Sequence, residues 1–108
     1  MKNPMLHVVV DRPIGYFDDK HDPYPINYGY LPNILGGDNE PQDVYIISEE
    51  IILPISVFDG KLIAIIHRED DIEDKWVVTT PHESFTAKEI ADKVKFMEQY
   101  FNSTIELL

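Results

Sequence analysis

Gly36-Gly37-Asp38-Asn39-Glu40-Pro41-Gln42-Asp43-Val44-Tyr45-Ile46-Ile47 places an acidic turn directly in front of a β-rich run. The glycines allow a tight turn and close backbone approach. Residues 43–47 read as a strand, so Asp43 stands at the mouth of a sheet. Working outward, residues 5–10 and 61–67 are further β-rich runs, and residues 75–79 form the last predicted strand. Residues 51–58 are a candidate strand interrupted at Pro54, which implies an edge or a bend. Asp59-Gly60 is a hairpin-turn signal. After the strands, Thr86 and Glu89 have the spacing of a helix capping box, with Phe85 and Ile90 as its hydrophobic staple. Ile90, Val94, Met97 and Phe101 recur on one helical face. About five strands followed by one C-terminal helix predict a mainly β fold, a small closed or partly closed barrel, in a single domain over residues 1–108.

Between the first two strands lies a stretch, residues 12–37, broken by Pro13, Gly15, Pro23, Pro25, Gly29 and Pro32. Proline and glycine at this density predict irregular backbone. The stretch also carries Tyr16, Phe17, Tyr24, Tyr28 and Tyr30, so it is expected to wrap over a core. Long ordered loops of this kind are more often functional than not.

Composition narrows the function. At 44% hydrophobic, 108 residues suffice for a real core. With no cysteine there is no disulfide, thiolate zinc site or cysteine nucleophile. The first apolar run is too short for a signal-peptide core or a membrane span, and a cytoplasmic location is expected. The net charge of -11 repels nucleic acid and anionic membranes, so neither is an expected partner.

The acids are concentrated. Asp38, Glu40 and Asp43 crowd the first turn, and close carboxylates repel unless a cation neutralises them. Oxygen-only ligands suit Mg²⁺, Mn²⁺ or Ca²⁺. Glu69-Asp70-Asp71-Ile72-Glu73-Asp74 is a second acidic stretch between two apolar runs. Alone, each reads equally as a solvated surface turn. Together, at strand edges, they are expected to converge on one metal site. Arg12, Lys20, Arg68 and Lys75 lie in or beside the same loops, where a phosphate anion would need cations. The histidines show no paired metalloprotease spacing, and His7 and His67, on strands, read as structural. Trp76 reads as core. There is no nucleophile elbow and no phosphate loop.

Tyr24-Pro25-Ile26-Asn27-Tyr28-Gly29-Tyr30, followed by Gly37-Asp38-Asn39-Glu40-Pro41-Gln42-Asp43-Val44, resembles the paired motifs of the soluble family I inorganic pyrophosphatases. Val10-Asp11-Arg12 is similar to that family's strand ending in an active-site arginine. Residues 70–75 leading into Trp76 resemble its second acidic loop, which ends in a lysine. Met97-Glu98-Gln99-Tyr100 is similar to its helical segment with a C-terminal active-site tyrosine. The resemblance implies a five-stranded OB-like barrel with long irregular loops and a C-terminal helix. It also implies Mg²⁺-dependent hydrolysis of pyrophosphate, with several Mg²⁺ ions and Mn²⁺ as an alternative. On these positions Asp38 and Asp43 bind metal, joined by Asp71 and Asp74 or, as the rival pair, Asp70 and Glu73. Glu40 helps activate water. Arg12, Tyr24, Tyr28, Lys75 and Tyr100 hold phosphate, with Arg12, Tyr28 and Lys75 also placed in the catalytic set. A homo-oligomer is compatible with this reading. Two positions depart from the pattern: Glu40 stands where aspartate is usual, and Phe101 where a lysine follows the tyrosine. The family's N-terminal glutamates and lysine have no counterpart in these residues. The alternative is therefore a pyrophosphatase-like module that binds metal and phosphate or nucleotide with weak or no turnover.

Overall fold

The computed structural model describes residues 3–20, 22–69 and 73–108. Its elements in chain order are β1 (Met5–Arg12), β2 (Asn27–Leu35), β3 (Pro41–Ile46), β4 (Val57–Arg68), β5 (Lys75–Thr79), α1 (Ala87–Glu98) and β6 (Ser103–Leu107). The strands pair in the order β1-β2-β3-β5-β4-β6, and β1 also pairs with β4. That second pairing closes β1, β2, β3, β5 and β4 into a five-stranded barrel. All pairings are antiparallel except β3 with β5. The expected mainly β barrel with a C-terminal helix is what the chain forms.

Strand β4 makes closure possible because it is long. On one edge its first half pairs with β1, from Met5↔Lys61 to Val9↔Val57. Its second half then pairs with β6, from Ala64↔Leu107 to Arg68↔Ser103. Asp59-Gly60 therefore lies inside β4 and is not the expected hairpin turn. The glycine is needed for a different reason. A Cβ there would run into the ring of Phe58 and approach the Thr79 carbonyl. Of the candidate strand at 51–58, only Val57 and Phe58 join the sheet. The residues before them are held as a loop by the buried Asn27 side chain. Its Nδ2 donates to the Leu53 carbonyl at 3.2 Å, and its Oδ1 accepts from Ile14 N at 2.9 Å.

The stretch expected to be irregular contains β2. Gly29 and Pro32 disguise it. Gly29 crosses β1 so closely that a Cβ would strike the Val9 carbonyl, and Pro32 sits in a register shift between Leu31 and Leu35. β6 follows the helix, so residues 75–79 are not the last strand.

Alternation along β3 feeds two core clusters on opposite faces. Tyr45 and Ile47 join Tyr24, Tyr28, Ile63, Ile66 and Val77 against Ile90 and Val94 of α1. Val44 and Ile46 join Val8, Leu31, Leu62 and Val78, with Trp76 packed on them. The helix begins as expected: Glu89 N donates to Thr86 Oγ1 at 3.1 Å, and Thr86 N donates to Glu89 Oε1 at 2.8 Å. Phe85 packs on the cluster that contains Ile90. The helix ends at Glu98, so Phe101 lies beyond it. Thr86→Ala is expected to cost about 1 kcal/mol, read as a melting point lower by about 4–8 °C. No helix among the described residues is long and apolar enough to cross a membrane.

Candidate active site

The register brings the end of β1, the start of β2, the start of β3 and the entrance to β5 side by side. Arg12 pairs with Tyr28, Tyr28 with Tyr45, and Tyr30 with Asp43. Val44 pairs with Trp76, which places Lys75 beside Asp43.

Lys75 is the hub. It is 5% exposed, and an ammonium so placed needs partners. Its Nζ donates to Asp43 Oδ2 at 2.6 Å and to the Tyr28 hydroxyl at 3.1 Å, and also to Glu73 Oε1. Three donors meet three acceptors. The Tyr28 phenol is pushed well above its ordinary pKa, first by burial and then by the charge of Asp43, so it remains a neutral hydroxyl.

The first acidic turn is folded by its own polar groups. Gly36 N donates to the Glu40 carbonyl at 2.8 Å, and Asp38 Oδ1 accepts from Glu40 N at 3.0 Å. Asn39 takes φ 66°, a left-handed conformation that asparagine tolerates well. The Asp38 carboxyl is held below the usual range by a hydrogen bond from Glu73 and by the Glu40 amide. The Glu73 carboxyl is raised by burial and by the same bond to Asp38. The two acidic stretches thus meet: Glu73 lies within interaction distance of Asp38, and Asp43 and Glu73 share one ammonium.

An acidic cleft of about 280 Å³ opens beside this cluster, lined by Asp11, Tyr30, Glu40, Pro41 and Asp43. Asp11 was not singled out in the sequence as a ligand. It is placed by a bulge: Val10 pairs with Gly29 and Arg12 with Tyr28, so Asp11 is the extra residue, and a bulge re-aims its side chain. Two adjacent charges closing a strand were the available signal. The Asp11 carboxyl is raised, mainly by burial and further by Asp43. A group whose folded pKa is raised favours the fold below its unfolded value, and that contribution is lost as pH rises through the folded value. Asp11→Asn is therefore expected to melt higher than the parent chain at pH 7. The gap should close as pH falls below the unfolded value near 3.8. Paired melts across pH 3–7 check this, and equal melting points at pH 7 would contradict it.

The other candidates divide. Arg12 Nη1 donates to the Tyr24 hydroxyl at 2.7 Å, with its guanidinium facing the rings of Tyr16, Tyr24 and Tyr28. Tyr100 follows α1 and is 59% exposed. The Asp74 carboxylate lies 3.2 Å from His67 Nδ1, away from the pair formed by Asp38 and Glu73. Its backbone carbonyl accepts from Gln42 Nε2 at 2.6 Å. Among the described acids of the second stretch, Glu73 is the one that shares the Lys75 ammonium with Asp43. Asp70 and Asp71 lie outside the described residues. Lys20, grouped with the loop cations, is an exposed surface residue, and Trp76, read as core, is partly buried against the second cluster.

Among the described residues no three carboxylates or imidazoles surround a single point as a complete ligand set. The donor chemistry nevertheless fits a hard cation. Asp11, Asp38, Glu40, Asp43 and Glu73 offer only oxygens, and the Lys75 ammonium shared by Asp43 and Glu73 offsets part of their charge.

Comparison with known proteins agrees with this arrangement. A family model described as inorganic pyrophosphatase matches residues 6–107. Inorganic pyrophosphatase 1 of Pseudomonas syringae pv. tomato is 36% identical over 64 residues, 58% of this chain and 37% of its own length. The inorganic pyrophosphatase of Helicobacter pylori is 31% identical over 91 residues, 71% of this chain and 53% of its own. The matched stretches thus span between 37% and 53% of these relatives. In structure, the inorganic pyrophosphatase of Ehrlichia chaffeensis superposes with a TM-score of 0.70 at 17% identity, covering 95% of this chain and 85% of that one. That of Helicobacter pylori gives 0.66 at 19%, covering 100% and 86%, and at these identities the likeness speaks for the fold. A barrel of this topology, the tyrosine and acidic motifs gathered around Lys75, and a family match along nearly all of the sequence lead to one assignment: the chain belongs to the family I inorganic pyrophosphatases, a metal-dependent family.

Proposed function

We propose that this chain hydrolyses inorganic pyrophosphate to two phosphates with Mg²⁺. The observation that carries the reading is the buried Lys75, bonded at once to Asp43, Tyr28 and Glu73 beside an acidic cleft. Asp38, Asp43 and Glu73 would hold the ions, with Asp11 at the edge of the cleft; Asp71 and Asp74, the pair preferred from the sequence, are the alternative to Asp70 and Glu73. Bound Mg²⁺ lowers the pKa of water and neutralises phosphate charge.

The protein's own groups supply the rest. With the carboxylates holding a cation, the Lys75 ammonium would be available to face a phosphoryl oxygen, with the Tyr28 hydroxyl beside it. Arg12, held over three tyrosine rings and against Tyr24, presents a fixed planar donor to the second phosphate. Tyr100 completes the phosphate-binding set. Glu40, at the cleft, accepts the proton of the attacking water. The bond from phosphorus to the bridging oxygen then breaks, and that oxygen leaves with the second phosphate. Mn²⁺ can replace Mg²⁺ at oxygen ligands. A chain without cysteine suits the cytoplasm, and pairing with further copies is compatible with the reading.

The test is phosphate release from pyrophosphate with Mg²⁺, set against nucleoside diphosphates and triphosphates. Turnover of pyrophosphate well above the nucleotides is expected. Mg²⁺ binding without phosphate release would instead select a binding module, a reading favoured by Phe101 standing in place of a lysine.

A further inference from the structure

Arg68, the last residue of β4, carries a guanidinium that none of the roles above uses. It is only 8% exposed. Its Nη2 donates to Glu98 Oε2 at 2.6 Å and its Nε to Glu98 Oε1 at 3.2 Å. The Tyr45 hydroxyl donates to that same Oε2 at 2.5 Å. The Phe101 ring lies over the guanidinium, with its centroid 3.7 Å from Cζ. A planar fork held on one edge by a carboxylate and on one face by a ring has little freedom left. Its Nη1 stands 4.0 Å from Glu73 Oε1, the oxygen that also faces Lys75.

We propose that Arg68 is a positioning residue that holds the Glu73 carboxylate beside the cleft, in the orientation a divalent cation requires. The proposal rests on reading the cleft as a metal site. Glu73 precedes β5 and also meets Lys75 and Asp38. The Lys75 ammonium is shared among three acceptors on a flexible stem, whereas the Arg68 fork is fixed by its own partners. Arg68 transmits the placement of α1, through Glu98 on its last turn, to Glu73. At 4.0 Å the contact with Glu73 is a Coulombic steer, longer than a hydrogen bond, and burial limits its screening. Phe101 then has a use of its own, as the stack that fixes Arg68.

The sign of the effect on metal binding separates positioning from simple charge. Losing a nearby cation should by itself tighten Mg²⁺ binding, whereas losing the grip on a ligand should weaken it. The variant R68M/E98Q removes both charges at similar volume and keeps an acceptor for Tyr45, so it is expected to fold. Titration calorimetry with Mg²⁺ alone should show affinity weakened roughly ten-fold or more, as for residues that orient a ligand. In hydrolysis at saturating Mg²⁺, kcat should fall by a similar factor and KM by less than about three-fold. R68K keeps the charge but loses the planar fork and the stack on Phe101, so its Mg²⁺ affinity should also fall by more than about three-fold, and parent-like affinity in R68K would overturn positioning by the fork. A folded R68M/E98Q that binds Mg²⁺ as tightly as the parent, or more tightly, overturns the proposal while leaving the pyrophosphatase reading intact. A parent chain that binds no Mg²⁺ overturns both.

Discussion

Asp43→Asn is expected to lower pyrophosphate hydrolysis by at least about 10²-fold, the scale of losing one electrostatic stabiliser in a preorganised site. Asparagine keeps the size and position of the side chain, so the loss isolates its charge. In an acidic cluster, removing a carboxylate would be expected to relieve repulsion and stabilise the metal-free chain. The structure reverses that expectation. Asp43 accepts from the buried Lys75 at 2.6 Å, and the variant leaves that ammonium to Glu73 and Tyr28. The metal-free variant should therefore be less stable by about 1.5–3 kcal/mol, the worth of a hydrogen bond to a charged group. Mg²⁺ should raise the melting point of the parent by mass action and that of the variant much less. Melts with and without Mg²⁺, beside phosphate release, read both halves. A variant with full activity would remove Asp43 from the site.

Lys75→Met should be more damaging still. It strips Asp43 and Glu73 of their shared cation while Asp38 remains hydrogen-bonded to Glu73. Breaking a buried pair by removing one partner costs about 3–5 kcal/mol, a large part of the stability of a chain this size. The loss should depend on pH in a defined direction. Glu73 is already raised above its ordinary value, mainly by burial, and without Lys75 it rises further. Its favourable contribution is then present below the unfolded value near 4.5 and disappears as pH rises through the folded value. The deficit relative to the parent should thus shrink in mild acid and grow toward pH 7. Mg²⁺ should restore part of it by taking over the neutralisation. Denaturant melts at pH 5 and pH 7, with and without Mg²⁺, would show this. A deficit independent of pH would mean that Lys75 contributes through packing alone.

Strong local patterns made much of the fold legible. Val44-Tyr45-Ile46 and Trp76-Val77-Val78 are too apolar for anything but buried strand, and the Thr86 capping box fixes the start of α1. What stayed hidden were features set by distant partners. Gly29 looks like a breaker until Val9 is seen lying against it, and Asp59-Gly60 looks like a turn until Phe58 and β1 are in place. β6 alternates polar and apolar residues over only five positions, too short a run to stand out. In the site, Asp38, Asp43, Tyr28 and Lys75 could be read because their chemistry is concentrated in short motifs. That Glu73 rather than Asp74 meets Lys75 could not, since both precede it; the Asp74 carboxylate lies against His67. Asp11 was concealed by the bulge that turns it.

The way β4 serves two partners along one edge also governs how the chain can fold. Pairing of β1 with β2 and of β2 with β3 joins neighbours and can form early, yet neither closes anything. Closure waits for Met5 to meet Lys61 and for Val9 to meet Val57. Those encounters carry a large loop entropy that must be spent before the pairing repays it. During synthesis, β1 must keep one edge open until residues 57–61 emerge, and β4 in turn keeps an edge open until β6 follows the helix. The chain is thus expected to fold on the millisecond-to-second scale of high-contact-order barrels. Its dense negative charge helps keep those waiting edges from finding each other on neighbouring molecules.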